Sequence, residues 1–294
     1  METIMKRYKL FTILSTVIVS FLLAGSVMAT SFDPVDRTAT STNLSVDWDE
    51  TNPEMIVDIR WKGSENLTNT AVIGGCPDPL EFFGNSWVSI DEGTPEFVFY
   101  SLVGWGTTGT WNDLGVSQVR IQSVSEGCPA SAGVPVMTQY HIFDSGPRAD
   151  TMTVLRRFSF GREAFPYDLR PYIPRLYPSS SFSEIIHPNA DGTALLTEVP
   201  NLCPFGCEVM DWDGTWFAIH NPTSGLGLIV VRQPSRYTAS LWIDEDGASE
   251  TTAPSVLLHA PDGGFRGNLT ERETLCFYDD TTWIPSLTLP EGCH

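Results

Sequence analysis

Five histidines are the side chains of this chain whose charge changes near neutral pH. Proton transfer to or from a reacting oxygen or carbon needs such a group within reach of a partner acid or base. His141 alternates with Tyr140 and Ile142 along a β-rich run, and His259 ends another. His187 lies in a proline-rich stretch, and His220 closes Trp216-Phe217-Ala218-Ile219-His220 just before a turn. The ordinary role of a histidine in such a run is hydrogen-bonded packing. His187 and His220 are the better candidates for acid–base work, because each falls where a strand or loop meets a rim.

Nine tryptophans form a second set. A saccharide offers apolar C–H faces that stack on an aromatic ring, and an indole N–H can reach a hydroxyl. Core packing is the ordinary role of any one tryptophan. Trp105 and Trp111 lie in Gly104-Trp105-Gly106-Thr107-Thr108-Gly109-Thr110-Trp111, between glycines that cover them poorly, so they are the better platforms. A third set is acidic: Asn189-Ala190-Asp191-Gly192, Asp211-Trp212-Asp213-Gly214 and Asp244-Glu245-Asp246-Gly247 place oxygens at alternate positions before a glycine. That spacing suits calcium, with Asp244 and Asp246 the candidate ligands, although the full twelve-residue calcium loop is absent and the same letters make plain Asx turns. No organic cofactor is expected. The motifs G-x-S-x-G, H-E-x-x-H, the P-loop and the dinucleotide glycine run are all missing, which disfavours serine hydrolases, kinases and nicotinamide enzymes.

The elements that would position these residues are strands. Asp211 to Arg232 reads as a β-hairpin at the centre of a large antiparallel sheet. Gly214 and Asn221-Pro222-Thr223-Ser224-Gly225 are turn signals between arms rich in β-branched and aromatic residues. The arm Leu226 to Val231 is apolar at nearly every position, as in a strand covered on both faces. Val134–Asp144 and Thr151–Gly161 predict two long paired strands. Further β-rich runs recur from Met55 onward, and no stretch of ten residues carries a helical stripe. Glu163 to Pro204 holds seven prolines and lacks periodicity, so it predicts a covering excursion over one sheet face. Thr30 to Ser45, poor in large apolar residues, predicts a flexible lead.

Composition bounds the class. Residues 1–29 carry Lys6, Arg7 and Lys9, then the apolar run Leu10 to Leu23, then Ser26-Val27-Met28-Ala29. This is the pattern of a secretory signal peptide, too short to span a bilayer. Residues 46–294 then form a single β domain, secreted to an extracellular or periplasmic space without stable membrane insertion. The formal charge is −19, and loss of a leader with three cations and Glu2 takes it to −21. A charge of that sign argues against nucleic-acid partners. Cys76, Cys128, Cys203, Cys207, Cys276 and Cys293 remain after cleavage, an even set that reads as disulfides in an exported chain. Of fifteen connectivities, the local one pairs Cys76–Cys128, Cys203–Cys207 and Cys276–Cys293; a zinc site is the competing reading of Cys203-Pro-Phe-Gly-Cys207.

The strands Met137–Asp144 and Thr151–Phe160, followed by W-F-A-I-H-N-P-T-S-G-L-G-L-I-V-V-R, resemble the galactose mutarotase-like supersandwich over about residues 115–260. The resemblance implies an all-β fold, one large antiparallel β-sandwich, and a sugar on its concave sheet face. Epimerases of that group pair a histidine acid with a glutamate base and carry His-Pro-aromatic signatures. His187-Pro188-Asn189 lacks the aromatic, so no catalytic residue is carried over. Three expectations follow. The first is a secreted carbohydrate-binding protein holding a glycan with Trp105, Trp111, Trp216, Arg157 and Arg162. The second is an exported epimerase-like or lyase-like enzyme using a His/carboxylate pair. The third is a structural surface protein without a small ligand.

Overall fold

The computed structural model describes residues 31–33, 35–36, 38–48, 56–64, 67, 72–75, 80–83, 88–91, 97–111, 117–128, 136–143, 151–160, 162, 164, 168–171, 176, 181–199, 207–233, 235–246 and 251–293. All regular structure among them is β. Strands β1 (Ser31–Asp33), β2 (Thr38–Thr40), β3 (Leu44–Trp48) and β4 (Ile56–Trp61) form a four-stranded antiparallel meander. Strands β5 (Val72–Gly75) and β6 (Leu80–Phe83) pair as an isolated ribbon. The other fourteen strands share one sheet: β7 (Val88–Asp91), β8 (Phe97–Trp111), β9 (Ser117–Cys128), β10 (Val136–Phe143), β11 (Thr151–Ser159), β12 (Asp168–Pro171), β13 (Glu184–Pro188), β14 (Leu195–Glu198), β15 (Cys207–Val209), β16 (Trp216–His220), β17 (Gly227–Arg232), β18 (Ala239–Asp246), β19 (Thr251–Leu258) and β20 (Asn268–Tyr278). Their order is β14-β13-β16-β17-β20-β11-β10-β9-β8-β7-β12-β19-β18-β15.

One main core explains how so long a sheet stays closed. Val154 and Phe158 of β11, Leu275 and Phe277 of β20, and Val230 of β17 share a buried cluster with Leu241 and Ile243 of β18 and Val256 and Leu258 of β19. The two ends of the sheet therefore pack face to face, as in a sandwich. Ala39, Leu44, Val46, Ile59 and Trp61 of the N-terminal meander enter the same cluster, with Trp61 stacked at 6.5 Å on Phe277. Within the predicted lead, Thr30 to Ser45, the described residues include regular strand. They supply the edge strand β1, the interior strand β2 and the start of β3, and Ala39 and Leu44 join Val46, Ile59 and Trp61 in docking the meander.

The hairpin β16–β17 pairs Trp216 with Val231 and His220 with Gly227, and both arms are buried throughout. It stands third and fourth from one edge of the sheet, not at its centre. Two glycines set its tip. Gly225 has φ +70°, and a Cβ there would overlap the carboxyl of Asp280; a Cβ on Gly227 would overlap the Tyr278 ring. Replacement of Gly227 by alanine is therefore expected to destabilise the fold by about 1–3 kcal/mol through overpacking, measurable as a lowered urea midpoint. An unchanged midpoint would show that Tyr278 can step aside.

The proline-rich stretch is partly sheet. It supplies β12, β13 and β14, and Pro171 and Pro188 stand at strand ends, where loss of an N–H costs least. The rest of its predicted covering role lies outside the described residues.

Candidate functional site

Register decides which side chains can meet, since residues paired across strands share a sheet face. Phe158 pairs with Leu269, Arg156 with Glu271, Val154 with Glu273 and Arg232 with Glu273. All of these lie on the inner face, against the main core. Four of them are ionic and enclosed: Arg156 meets Glu273 at 2.6 Å, and Arg232 meets Glu271 at 3.4 Å. Burial, only partly countered by the charge of Arg232, pushes the Glu271 carboxyl above its usual range.

The outer face carries the alternate residues, and its two ends differ. At one end a second cluster joins Ile186, Trp216, Ala218, Ile229 and Tyr278 to Trp283 and Cys293 of the C-terminal segment. Cys276–Cys293 clasps that segment to β20. The Trp283 ring meets Tyr278 edge-on at 4.8 Å and Trp216 at 5.9 Å. At the rim of this covered region stand His220 and Tyr278, their rings parallel and 5.9 Å apart, with His220 Nδ1 and Tyr278 Oη sharing a 2.9 Å hydrogen bond. Glu184 is the cross-strand partner of His220, and Asp280 follows two residues after Tyr278 and abuts Gly225.

Burial lowers the His220 pKa below 6.5, against the opposing charges of Glu184 and Asp280. Burial, followed by the same two carboxylates, pushes the Tyr278 phenol far above the usual tyrosine range. A neutral imidazole beside a protonated phenol can relay a proton, and the two carboxylates supply charge close by. The depressed histidine has a consequence for stability. The unfolded chain takes up a proton at higher pH than the folded one, so this group's contribution is present above pH 6.5 and is lost as pH falls through the folded value. The His220 ring should accordingly titrate below 6.5 by NMR; a value above 6.5 would mean that the carboxylates outweigh burial.

The other end of the outer face is open. Arg157, Ser159, Asn268 and Thr270 are exposed there, and Leu155 and Arg272 are half-buried. Arg157 pairs with Thr270 and Leu155 with Arg272. From Thr270 to Tyr278 is eight residues of one strand, about 27 Å, so this polar strip and His220 share a face without sharing a pocket.

The structure places the sequence candidates as follows. His187 and His220 do not converge: Glu184 and Ile186 pair with outer-face residues of β16, which puts His187 on the inner face. His187 is fully enclosed, with Nδ1 bonded to the Pro188 carbonyl at 2.8 Å and Nε2 3.6 Å from Glu198. Trp216 is 4% exposed beneath Trp283, a core ring and not an open stacking surface. Arg157 and Arg162 are exposed. Trp111 pairs with Ser117 in the β8–β9 ladder, and Trp105 sits at a register shift between Val103 and Gly106. Asp244 and Asp246 pair with Ala253 and Thr251. Among the described residues no group of three or more His, Cys, Asp or Glu is poised around an ion. In two of the acidic turns the oxygens serve the chain itself: Asn189 and Asp191 accept from the Thr193 backbone, and Asp213 from that of Thr215. Cys276–Cys293 is the predicted pair; Cys76 and Cys203 lie outside the described residues.

Tyr278, Glu184 and Asp280 had no sequence signal as partners of His220. Only the pairing of β13 with β16 and of β17 with β20 brings them together.

No family model matches this sequence, and no curated protein matches it. Solved structures do match by shape. The alpha-N-acetylgalactosaminidase NagBb from Bifidobacterium bifidum, in complex with GalNAc, superposes with a TM-score of 0.50 at 14% identity, over 83% of this chain and 37% of that one. The heparan sulfate lyase HepC from Pedobacter heparinus gives 0.46 at 12% identity, over 85% of this chain and 36% of its own. A protein from Synechocystis gives 0.46 at 10% identity, over 86% of this chain and 96% of its own. This chain thus spans little more than a third of each of the two enzymes, and the likeness is one of fold.

Proposed function

We propose that this chain is an exported carbohydrate-binding β-sandwich that holds a glycan on the outer face of its large sheet. The observation that carries the reading is the open polar strip of that face, Arg157, Ser159, Asn268 and Thr270, whose side chains are exposed between buried neighbours. Two further points support it. The fold is like that of NagBb, a protein seen with a bound amino sugar. Trp105 lies at the register shift of β8, three strands from β11 in the same sheet, about 14 Å across, whereas the pairing of Trp111 with Ser117 puts position 111 on the face opposite Arg157. Export is supported by the leader pattern and by the disulfide Cys276–Cys293. Among the described residues no helix is long and apolar enough to cross a membrane.

The expected result is binding on a glycan array that survives His187→Ala and His220→Ala but weakens about tenfold or more on replacement of Trp105 by alanine, the scale of a lost stacking platform. A glycan array without signal above background would reject the reading. One observation favours the enzymatic alternative: the His220–Tyr278 hydrogen bond flanked by Glu184 and Asp280. Sugar-dependent proton exchange that disappears in His220→Gln would establish it.

A further inference from the structure

The edge hairpin β13–β14 holds an acid–base pair that the carbohydrate reading does not use. β14 is the outermost strand at this end of the sheet. It pairs Leu196 with His187 and Glu198 with Ile185, so Glu198 is a diagonal neighbour of His187 on the inner face. His187 is 0% exposed, whereas the Glu198 side chain is 45% exposed. The carboxylate thus connects a sealed ring to solvent.

Hydrogen-bond chemistry fixes where the ring proton sits. The His187 Nδ1 lies 2.8 Å from the Pro188 carbonyl oxygen. A carbonyl oxygen only accepts, so Nδ1 carries a proton and donates it. In the neutral ring Nε2 is then bare, an acceptor. It is enclosed without a hydrogen-bond partner, and it faces the Glu198 Oε1 at 3.6 Å. An ionised carboxylate is also only an acceptor. Two acceptors therefore face each other across a gap slightly longer than a hydrogen bond, and the enclosed one stays unmet at a cost. One added proton changes this. On Nε2 or on the carboxyl, it makes one partner a donor, and the pair can close.

The other groups around the ring leave this pair to itself. From β16 the inner-face side chains are Phe217 and Ile219, both in the main core. Glu184 of β13 and His220 of β16 lie on the opposite face. At the hairpin tip and the turn beside it, Asp191, Asp211 and Asp213 accept from the amides of Thr193, Ala190 and Thr215.

We infer that His187 and Glu198 form a proton-operated latch on the sheet edge. Uptake of one proton joins Nε2 to Oε1 and fastens β14 to β13; loss of that proton loosens the strand. Leu195 of β14 and Leu289 of the C-terminal segment both pack against the second cluster, so a loose β14 removes part of that cluster's cover.

Hydrogen exchange of the full secreted chain between about pH 8 and about pH 5.5 tests the latch, with rates corrected for intrinsic exchange and β10 and β11 as internal reference. In the parent, protection of the β14 amides should rise about tenfold or more as pH falls, the scale of one charge-assisted hydrogen bond. Glu198→Ala should hold β14 at the low, alkaline level throughout. Glu198→Gln should hold it at the high level throughout, because a carboxamide N–H donates to bare Nε2 without an added proton. Nitrogen-15 NMR of the parent ring needs no variant: Nδ1 should be protonated at both limits, and Nε2 should pass from bare to hydrogen-bonded. Flat β14 protection in the parent, a pH slope that survives in Glu198→Ala, a Glu198→Gln protein that follows the parent, or an Nε2 still bare at the acid limit would each overturn the latch.

Discussion

Arg156→Ala is expected to lower the unfolding free energy by about 3–5 kcal/mol, the scale seen when one partner of a buried ion pair is removed. Arg156 is 1% exposed and Glu273 2%, and they meet at 2.6 Å. Truncation leaves the Glu273 carboxylate enclosed with its counter-charge gone. The cost should come from that stranded charge and not from the pair itself, because desolvating two ions offsets most of their attraction. A double variant, Arg156→Met with Glu273→Leu, should therefore recover most of the loss. Urea denaturation of the parent, the single and the double variant measures both. A single-variant loss under 1 kcal/mol would mean that water reaches Glu273.

Neighbouring Glu271 adds a pH dependence of defined sign. Its folded pKa lies above 4.5, chiefly through burial. The stability it contributes is then complete below about pH 4.5 and is lost as pH rises through the folded value. Glu271→Gln removes that slope, so parent and variant should converge in acid and separate toward neutrality.

These charges show what was and was not readable from the chain. The hairpin Trp216–Arg232 and the strands β10 and β11 were readable because period-two alternation and turn residues are local signals. Which arginine of Arg156-Arg157 turns inward was not, since one step of register exchanges the two faces, and only the pairing of β11 with β20 fixes the step. The same holds for the histidines. His187 and His220 each looked like a rim residue, yet the β13–β16 register puts them on opposite faces. Trp216 read as a ligand platform because nothing in residues 279–293 announces a cover: the segment has no period and no strand. Ala39 and Leu44 were lost in a run of small polar residues, although with Val46, Ile59 and Trp61 they dock a short meander on the main core. The polar strip was half legible, through Arg157 alone.

The C-terminal segment carries the other large effect. Replacing Cys276 and Cys293 by serine is expected to cost about 3 kcal/mol, the loop-closure scale for a bridge spanning 17 residues. The loss should be unevenly distributed. The main core between the sheet halves contains neither cysteine, whereas the second cluster contains both, together with Trp283 and Leu289. Trp283 Nε1 donates to the Thr288 carbonyl at 2.9 Å, and Lys62 reaches Asp279 at 3.1 Å. The first of these lies within the segment, and the exposed Lys62–Asp279 pair is worth about a kcal/mol or less, too little to hold fifteen residues against their conformational entropy. Without the bridge, the segment should leave the sheet before the sheet unfolds. Hydrogen exchange should then rise across 279–292 while β16, β17 and β20 stay protected, and iodide should newly quench Trp216 and Trp283. Loss of protection in tail and sheet together would make the bridge part of the global fold. An unchanged tail would assign its hold to Trp283, seated between Tyr278 and Trp216, with the covalent clasp contributing only to the unfolded chain.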